Sequence, residues 1–165
     1  GYYLKSFIDK EELKSKIKAI RWKNYGNSSV NGGVFWLTKS ELYETYINIG
    51  NTFAAKKDYR SAMAAYQRAI NRKPGYTLAY FNIGLAHSEM KNYQMAVKAF
   101  TRVLELNPDF YDAYRNLAIA FYIQGDYENA LINFQKYYPH IIDEQAKNSV
   151  LKDIQSLREL LNKNK

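Results

Sequence analysis

Apolar and polar residues follow each other along most of the chain with the period of an α helix. Between residues 43 and 138 apolar or small residues recur at spacings of three and four, and short polar stretches interrupt them. The first segment places Tyr46, Ile49, Gly50 and Phe53 on one face; the second places Ala62, Ala65, Tyr66, Ala69 and Ile70 on one face. A polar turn at residues 56–58 separates the two, and residues 71–75, which include Pro74, end the second. The pattern predicts a helical hairpin.

This hairpin pattern recurs with a period of 34 residues. Tyr-Ile-Asn-Ile-Gly at 46–50 returns as Tyr-Phe-Asn-Ile-Gly at 80–84 and as Tyr-Arg-Asn-Leu-Ala at 114–118. Three blocks that begin at Tyr43, Thr77 and Tyr111 also align Asp58-Tyr59 with Asn92-Tyr93 and Asp126-Tyr127, and Tyr66 with Phe100 and Phe134. Close helix crossing needs small side chains, so we expect Gly50, Gly84 and Ala118 to face Ala62, Ala96 and Ala130. Such a period predicts stacked hairpins.

In these positions the sequence resembles the tetratricopeptide repeat family, whose pattern is aromatic, Leu/Ile-Gly, aromatic, Ala, aromatic and Pro. The resemblance covers residue 43 to about residue 138. It implies an all-α fold, a right-handed α-solenoid of helical hairpins, with repeats at about 43–76, 77–110 and 111–140 in a repeat region of 39–140. Ala118 replaces the family's Gly, His87 a usual Tyr and Tyr137 a usual Ala. Pro139 comes earlier than Pro74 or Pro108 would predict, so we expect the third hairpin to end differently.

Both flanks of the repeats are expected to contain helices. Residues 141–165 predict a C-terminal capping helix, because the last hairpin of a stack needs its apolar face covered. Its apolar stripe is Ala146, Val150, Ile154, Leu157 and Leu161. Thr38-Lys39-Ser40-Glu41 is a capping box that places the start of the first repeat helix near Lys39. Residues 1–38 predict a basic helical extension and a loop, whose apolar residues 34–37 either cap the first hairpin or are buried by a partner chain.

Composition is that of one soluble globular domain. The chain has 165 residues, of which 47% are hydrophobic and 24% charged, and no apolar run approaches the ~18 residues of a membrane span. There is no cysteine, so neither disulfides nor thiolate metal sites are available. The residues that begin at Gly1 lack the features of a signal peptide, although a native signal or anchor could have been removed before Gly1. The compartment therefore stays open between cytoplasm and periplasm.

The net charge of +8 is concentrated at the N-terminus, where residues 1–40 hold eight Lys or Arg against three Asp or Glu. One helical stripe there contains Lys10, Lys14, Lys18 and Arg21. Such a stripe supports an alternative function, binding of nucleic acid or an anionic membrane surface, with the repeats as an assembly platform. A solvated helix face is the more ordinary interpretation of a charge run.

No catalytic chemistry is indicated by the sequence. The two histidines, His87 and His140, are far apart, and the chain has no glycine-rich phosphate loop, His-Glu-x-x-His pair or Gly-x-Ser-x-Gly elbow. We expect His87 to be a hydrogen-bonded core residue. We therefore predict no enzyme, no cofactor and no metal site.

The repeated asparagines suggest a binding surface. At roughly 100° per residue, Asn48 is rotated about 200° from Tyr46 and points away from the core of its hairpin. In a superhelical stack this direction is the concave wall, along which Asn48, Asn82 and Asn116 would form a row. We call the predicted site the partner-binding groove. Its residues are Asn48, Asn51, Phe81, Asn82, Leu85, Arg115, Asn116, Ile119 and Tyr122. Ile47 is expected on the same wall.

An asparagine offers a donor and an acceptor, which match one peptide unit of an extended ligand. The leading hypothesis is a non-enzymatic interaction scaffold that binds a partner protein or peptide, with self-association as a further possibility. Some members of the resembled family clamp the C-terminal carboxylate of chaperone tails with two asparagines and several cations. Asn51 and Asn82 match that pair, but Ile47, Asp112 and Asn116 replace the cations. A chaperone-tail clamp is therefore not expected.

Overall fold

The structure, a computed structural model, describes residues 39–163. Within that range the chain forms seven α helices and one 3-10 turn. The helices are α1 (Lys39–Ala55), α2 (Tyr59–Arg72), α3 (Thr77–Glu89), α4 (Tyr93–Leu106), α5 (Tyr111–Ile123), α6 (Tyr127–Tyr137) and α7 (Glu144–Lys163), and the 3-10 turn is Tyr138–His140. The main contacts join helices that follow each other in sequence, as three hairpins packed side by side. The predicted all-α fold of adjacent hairpins is confirmed.

Each hairpin turns at a residue with left-handed backbone geometry. These residues are Lys57 and Lys91, both with φ 60°, and Gly125 with φ 79°. In the first hairpin the N–H of Asp58 donates to the carbonyl of Phe53 at 3.0 Å, and the N–H of Lys57 donates to that of Ala54 at 2.8 Å. The other two turns have equivalent bonds. This pair of bonds is the Schellman motif, which satisfies carbonyls at the end of a helix.

The residue after each turn begins the second helix of the hairpin. The carboxylate of Asp58 accepts a hydrogen bond from the N–H of Ser61 at 3.1 Å, and that of Asp126 accepts one from the N–H of Asn129 at 3.1 Å. Asn92, at the same place in the second hairpin, makes no such bond. The repeated Asp/Asn-Tyr pair is therefore a turn-and-cap signal, since these side chains satisfy the free N–H groups of a helix start.

Within the first two hairpins a glycine lies against an aromatic ring. A Cβ atom added to Gly50 would overlap the ring of Tyr66, and one added to Gly84 would lie 2.5 Å from Cε1 of Phe100. We expected these glycines to face Ala62 and Ala96, but the nearest side-chain atoms belong to the two rings. Tyr66 and Phe100 are both buried. The small residue on one helix makes room for the large residue on the other.

The apolar core is divided into three clusters that link consecutive helices. The first contains Tyr43, Ile47, Ala62, Tyr66, Ala69, Ile70 and Ala79, and the second contains Ala96, Phe100, Val103, Ala113 and Leu117. The third contains Ala118, Ala130, Phe134, Ile141, Val150, Ile154 and Leu157. Ala79 and Ala113 belong to the helix after each hairpin, so the clusters also connect neighbouring repeats. In the third cluster α7 covers the last hairpin.

The third hairpin ends differently from the others, as predicted from Pro139. After α6 the chain forms the 3-10 turn that contains this proline, and α7 begins with the carboxylate of Asp143 accepting from the N–H of Ala146 at 2.7 Å. Of the apolar stripe predicted for this helix, Val150, Ile154 and Leu157 are buried. Ala146 is exposed and Leu161 half-buried. The capping box at Thr38, the apolar residues 34–37 and the proposed domain boundary at 38 fall outside the described residues.

Replacing Gly84 by alanine should destabilise the protein. The new methyl group would overlap Phe100, which is fully buried, and overpacking of this kind costs about 1–3 kcal/mol. The better helix propensity of alanine, at most about 1 kcal/mol, offsets only part of that cost. Urea unfolding of the two proteins measures the difference.

Gly75→Ala is the matched control. A Cβ atom at Gly75 would have nothing within 4 Å, so its free energy of unfolding should change by no more than about 0.5 kcal/mol. Equal stability of the Gly84 and Gly75 variants would contradict the close packing of glycine and ring.

Candidate partner-binding groove

The predicted groove residues lie on α1, α3 and α5, the first helices of the three hairpins. Exposed side chains among them are Asn48, Asn51, Leu85, Arg115, Ile119 and Tyr122, whereas Phe81, Asn82 and Asn116 are half-buried. Asn51, Asn82 and Leu85 line one depression of about 480 Å³, together with Tyr66 and Glu89. The structure thus brings Asn51 of α1 beside Asn82 and Leu85 of α3. Arg115, Ile119 and Tyr122 share one face of α5 by their spacing.

Asn51 is the centre of a hydrogen-bond network across three helices. Its Oδ1 accepts a hydrogen bond from the hydroxyl of Tyr66 at 2.9 Å and another from Nδ2 of Asn82 at 3.1 Å. Burial raises the pKa of Tyr66, so its hydroxyl stays protonated as a donor at neutral pH. The network therefore joins α1 to its own hairpin partner α2 and to the next repeat.

The pairing of Asn51 with Tyr66 explains a difference between the repeats. In the next two blocks Phe100 and Phe134 stand where Tyr66 stands, and Leu85 and Ile119 stand where Asn51 stands. A buried hydroxyl without a partner is costly, whereas a phenylalanine ring needs none. The polar pair of the first repeat is thus replaced by apolar pairs in the second and third. This sequence signal could have identified the structural role of Asn51.

The three asparagines of the predicted row have different environments. Asn82 donates to Asn51, as described, and Nδ2 of Asn116 donates to the backbone carbonyl of Asp112 at 2.7 Å, one turn earlier on α5. The side chain of Asn48 is exposed and makes no hydrogen bond to another residue in the 39–163 range. Two members of the row therefore have a structural bond, and Asn48 keeps its donor and its acceptor for solvent or a ligand.

Ile47 and Phe81 are more buried than residues that contact a ligand at a surface would be. Ile47, which we expected on the groove wall, is only 4% exposed and belongs to the first core cluster with Ala79 of the next hairpin. That expectation was wrong. The ring of Phe81 packs against Phe100 and Phe110, with centroids 5.6 and 4.8 Å apart. A helical wheel shows a residue's direction on its own helix but not whether the next hairpin covers it.

Two exposed apolar residues extend the predicted surface. Leu78 is 38% exposed and lies one turn before Asn82, and Ile123 is 50% exposed and lies one turn after Ile119. Helical spacing from the predicted residues would have found both. The charged members are Glu44, Asp112 and Arg115, all exposed. Arg115 forms no ion pair in the described part of the chain.

Glu89 and Tyr59 close one side of the depression beside Asn51. The hydroxyl of Tyr59 donates to Oε2 of Glu89 at 3.2 Å. Partial burial, followed by the charge of this carboxylate and the hydrogen bond, raises the pKa of Tyr59. The lining here contains one carboxylate, Glu89, and one ammonium, that of Lys57 in the turn just before Tyr59.

His87 is not the hydrogen-bonded core residue that we expected. Its side chain is half-buried in the last turn of α3, and its buried Nδ1 has no hydrogen-bond partner in the described region. Burial lowers the pKa of His87, so the imidazole is neutral at pH 7. Whether Nδ1 of His87 has a hydrogen-bond partner depends on neighbouring side chains, which the repeat pattern does not identify.

The remaining expectations from the sequence concern metal binding, a membrane span and the basic stripe near the N-terminus. Among residues 39–163 no group of three or more His, Cys, Asp or Glu could hold a metal ion. No helix of this range is long and apolar enough to cross a membrane. The basic stripe of Lys10, Lys14, Lys18 and Arg21 lies outside the described residues.

The fold and its repeated hairpins define a helical-repeat protein, and comparisons with known families agree. Two family models described as tetratricopeptide repeat match residues 77–110 and 99–132, and a third, described as TPR repeat, matches residues 50–91. The matches together span residues 50–132. The chain belongs to the tetratricopeptide repeat family. No curated protein matches it significantly.

Solved structures share the fold at low sequence identity. The first TPR domain of Spaghetti (RPAP3), bound to the HSP90 peptide SRMEEVD, gives a TM-score of 0.67 at 16% identity, covering 74% of this chain and 95% of that one. The N-terminal domain of STI-1 from C. elegans gives 0.66 at 19%, covering 74% and 99%. The TPR2B domain of yeast Sti1, in complex with pHsp70, gives 0.60 at 23%, covering 74% and 98%. At these identities the likeness concerns the fold alone.

Asn51→Ala should be destabilising and Asn48→Ala should not. The first change removes the acceptor of the Tyr66 hydroxyl, and an orphaned buried donor costs about 1–3 kcal/mol. The second removes a side chain without a structural bond and should change the free energy of unfolding by less than about 0.5 kcal/mol. Chemical denaturation measures both.

Tyr66→Phe is the control for this interpretation. With the hydroxyl gone, the additional cost of Asn51→Ala should decrease, as a double-mutant cycle would show. Additive losses in the cycle would mean that Asn51 stabilises the protein by some other contact.

The low pKa of His87 predicts a loss of stability in mild acid. The unfolded chain, in which histidine titrates near 6.5, binds a proton more readily than the folded protein. Stability from this group is therefore complete above the unfolded-state pKa and decreases as the pH falls towards the lower folded-state pKa. The slope for one proton is at most about 1.4 kcal/mol per pH unit.

Thermal midpoints of the wild type and His87→Gln between pH 7.5 and 5 measure this effect. The difference between the two pH profiles isolates His87, because both proteins keep every other titrating group. Parallel profiles would contradict the assignment.

Proposed function

We propose that this protein is a non-enzymatic interaction scaffold that binds a segment of a partner protein across α1, α3 and α5. The observation that supports it most is the exposure of large apolar side chains on the first helices of the second and third hairpins. Leu85 and Ile119 are each 36% exposed and Tyr122 is 50% exposed. They lie beside polar groups that can fix the position of a ligand. A site of this composition suits a peptide or protein surface better than a small polar metabolite.

The two halves of the groove would contribute different interactions. Near α1, Asn48 offers a donor and an acceptor to the backbone of an extended segment, with about 0.5–1.5 kcal/mol net for each such bond. Near α5, burial of Ile119 and Tyr122 would supply most of the affinity. Arg115, which has no ion pair in the described range, would donate hydrogen bonds to an acidic side chain of the partner.

The partner is not expected to be a chaperone tail clamped by its C-terminal carboxylate. Two of the similar structures are complexes with an HSP90 peptide and with pHsp70. A clamp for a carboxylate would need cations beside the asparagine pair. Here Ile47 is buried in the core, Asp112 is an exposed carboxylate, and Nδ2 of Asn82 already donates to Asn51. An internal segment with apolar residues and an acidic side chain fits these groups better.

The test is an affinity capture from native extract, followed by mass spectrometry. The triple variant Leu85→Ser, Ile119→Ser, Tyr122→Ser should lose the partner that the wild type retains. The triple variant should keep the helical circular dichroism of the wild type, with a lower thermal midpoint, because each side chain is partly exposed and none belongs to a core cluster. Phe81 is left intact, since its ring packs in the core.

A matched control replaces exposed apolar residues elsewhere. Met95 and Ile132 are 45% and 47% exposed, and they lie on α4 and α6, the second helices of their hairpins. The variant Met95→Ser, Ile132→Ser should capture the partner as the wild type does. Retention of the partner by the triple variant, or its loss in the control, would overturn the groove assignment.

A further inference from the structure

The connection between the third hairpin and α7 is longer than the other connections between hairpins. Four residues join α2 to α3 and four join α4 to α5, whereas six residues, 138–143, join α6 to α7. The additional length contains the 3-10 turn and ends at Ile142 and Asp143. It leaves a pocket between this connection and the start of α5, which we call the junction pocket.

The junction pocket has an apolar floor that the chain does not cover. Its volume is about 480 Å³, and its apolar lining comes from Phe110, Tyr111, Tyr137, Ile141 and Ile142. Ile141 is buried in the third core cluster, but the next residue, Ile142, is 98% exposed. Complete exposure of an isoleucine beside a pocket with other apolar walls is an unfavourable arrangement that a bound apolar side chain would relieve.

The rim of this pocket is acidic. It contains Asp109, Asp112 and Asp143, and none of the residues that line it in the described region is lysine or arginine. Two of these carboxylates have hydrogen-bond partners within the chain. Asp109 accepts a hydrogen bond from the hydroxyl of Tyr111 at 3.4 Å, and Asp143 accepts one from the N–H of Ala146 at the start of α7. Asp112 is exposed, and its carboxylate makes no hydrogen bond or ion pair in residues 39–163. A chain with a net charge of +8 therefore presents a local negative charge here.

At the same place in the first repeat, a cation of the chain itself lies against aromatic side chains. Tyr43 stands at the repeat position of Tyr111, and Nζ of Lys73 lies 4.5 Å from its ring centroid and 3.2 Å from its hydroxyl. Tyr76 contacts the same ammonium at 5.1 Å. In the third repeat Tyr111 stacks on His140 with centroids 3.4 Å apart, next to the three carboxylates. The chain thus places a lysine beside Tyr43 in the first repeat, whereas it places carboxylates beside Tyr111 in the third.

We propose that the junction pocket docks a partner protein segment in which a lysine or arginine stands beside an apolar side chain. The cation would lie among Asp109, Asp112 and Asp143, and the apolar side chain would cover Ile142 and the floor. This surface shares Asp112 with the groove but contains none of the groove's exposed apolar residues Leu85, Ile119 and Tyr122. Charge complementarity fixes the sign of the partner, and the exposed isoleucine fixes its amphipathic character.

The experiment is a selection of random 12-residue peptides displayed on phage against the full chain. Counter-selection against the variant Asp112→Asn, Ile142→Ser retains the peptides that depend on the junction pocket. These should contain Lys or Arg next to Leu, Ile or Phe. Binding of a selected synthetic peptide, measured by fluorescence anisotropy, should weaken about two- to fivefold with Asp112→Asn alone and about tenfold or more with Ile142→Ser alone.

Matched controls keep the result specific to the pocket. Glu128→Gln removes an exposed carboxylate from the first turn of α6, as Asp112→Asn does on α5. Ile132→Ser removes an exposed isoleucine from α6. Neither control should change binding of the peptide. The groove triple variant should also bind it normally, so that failure of the groove proposal and failure of this one are distinguishable.

Several outcomes would overturn the proposal. One is a selection in which no peptide depends on Asp112 and Ile142, or in which the dependent peptides are acidic or lack an apolar residue. Another is equal weakening by Glu128→Gln and Asp112→Asn, which would indicate a general charge effect. A third is a change of oligomeric state in Ile142→Ser, measured by sedimentation, which would show that a second copy of the chain covers the isoleucine.

Discussion

The contact of a glycine with an aromatic ring sets the geometry on which the other features depend. Where Gly84 lies against Phe100, no room remains for a Cβ atom, so the two helices of the hairpin are held at close range. Gly50 and Tyr66 make the same contact one repeat earlier. The first helices of these two hairpins are also joined, since Nδ2 of Asn82 on α3 donates to Oδ1 of Asn51 on α1 at 3.1 Å. The proposed groove would follow from that arrangement.

A face that packs within the hairpin must keep its chemistry, while the opposite face can change from repeat to repeat. Asn51, Leu85 and Ile119 occupy one repeat position, and their chemistry follows the ring behind them. Tyr66 has a hydroxyl that needs an acceptor, and the phenylalanines of the later repeats have none. A single oxygen atom in the hairpin core thus determines whether the exposed position beside it is polar or apolar.

Local periodicity predicted the helices, their pairing and the unusual end of the third hairpin, because these depend on residues close in sequence. It did not predict burial where two hairpins meet. Ile47, Phe81 and Arg115 share one repeat position, yet Ile47 is buried, Phe81 half-buried and Arg115 exposed. Their exposure depends on what the following hairpin contributes, such as Ala79 beside Ile47. The unpaired Nδ1 of His87 has the same origin, since a hydrogen-bond partner would have to come from a neighbouring element.

The order of the repeats gives the proposed groove a direction. Its α1 end presents Glu44, Asn48 and Asn51, and its α5 end presents Ile119, Tyr122 and Ile123. A segment that crosses all three hairpins would bury apolar side chains against α3 and α5 but not against α1, and reversing it would place some of those side chains against Asn48 and Asn51. Since apolar burial supplies most of the affinity and unpaired polar groups are costly to bury, the two orientations are not equivalent. Orientation of the partner would then be specified by side-chain chemistry, with the hairpin backbones serving as a uniform frame.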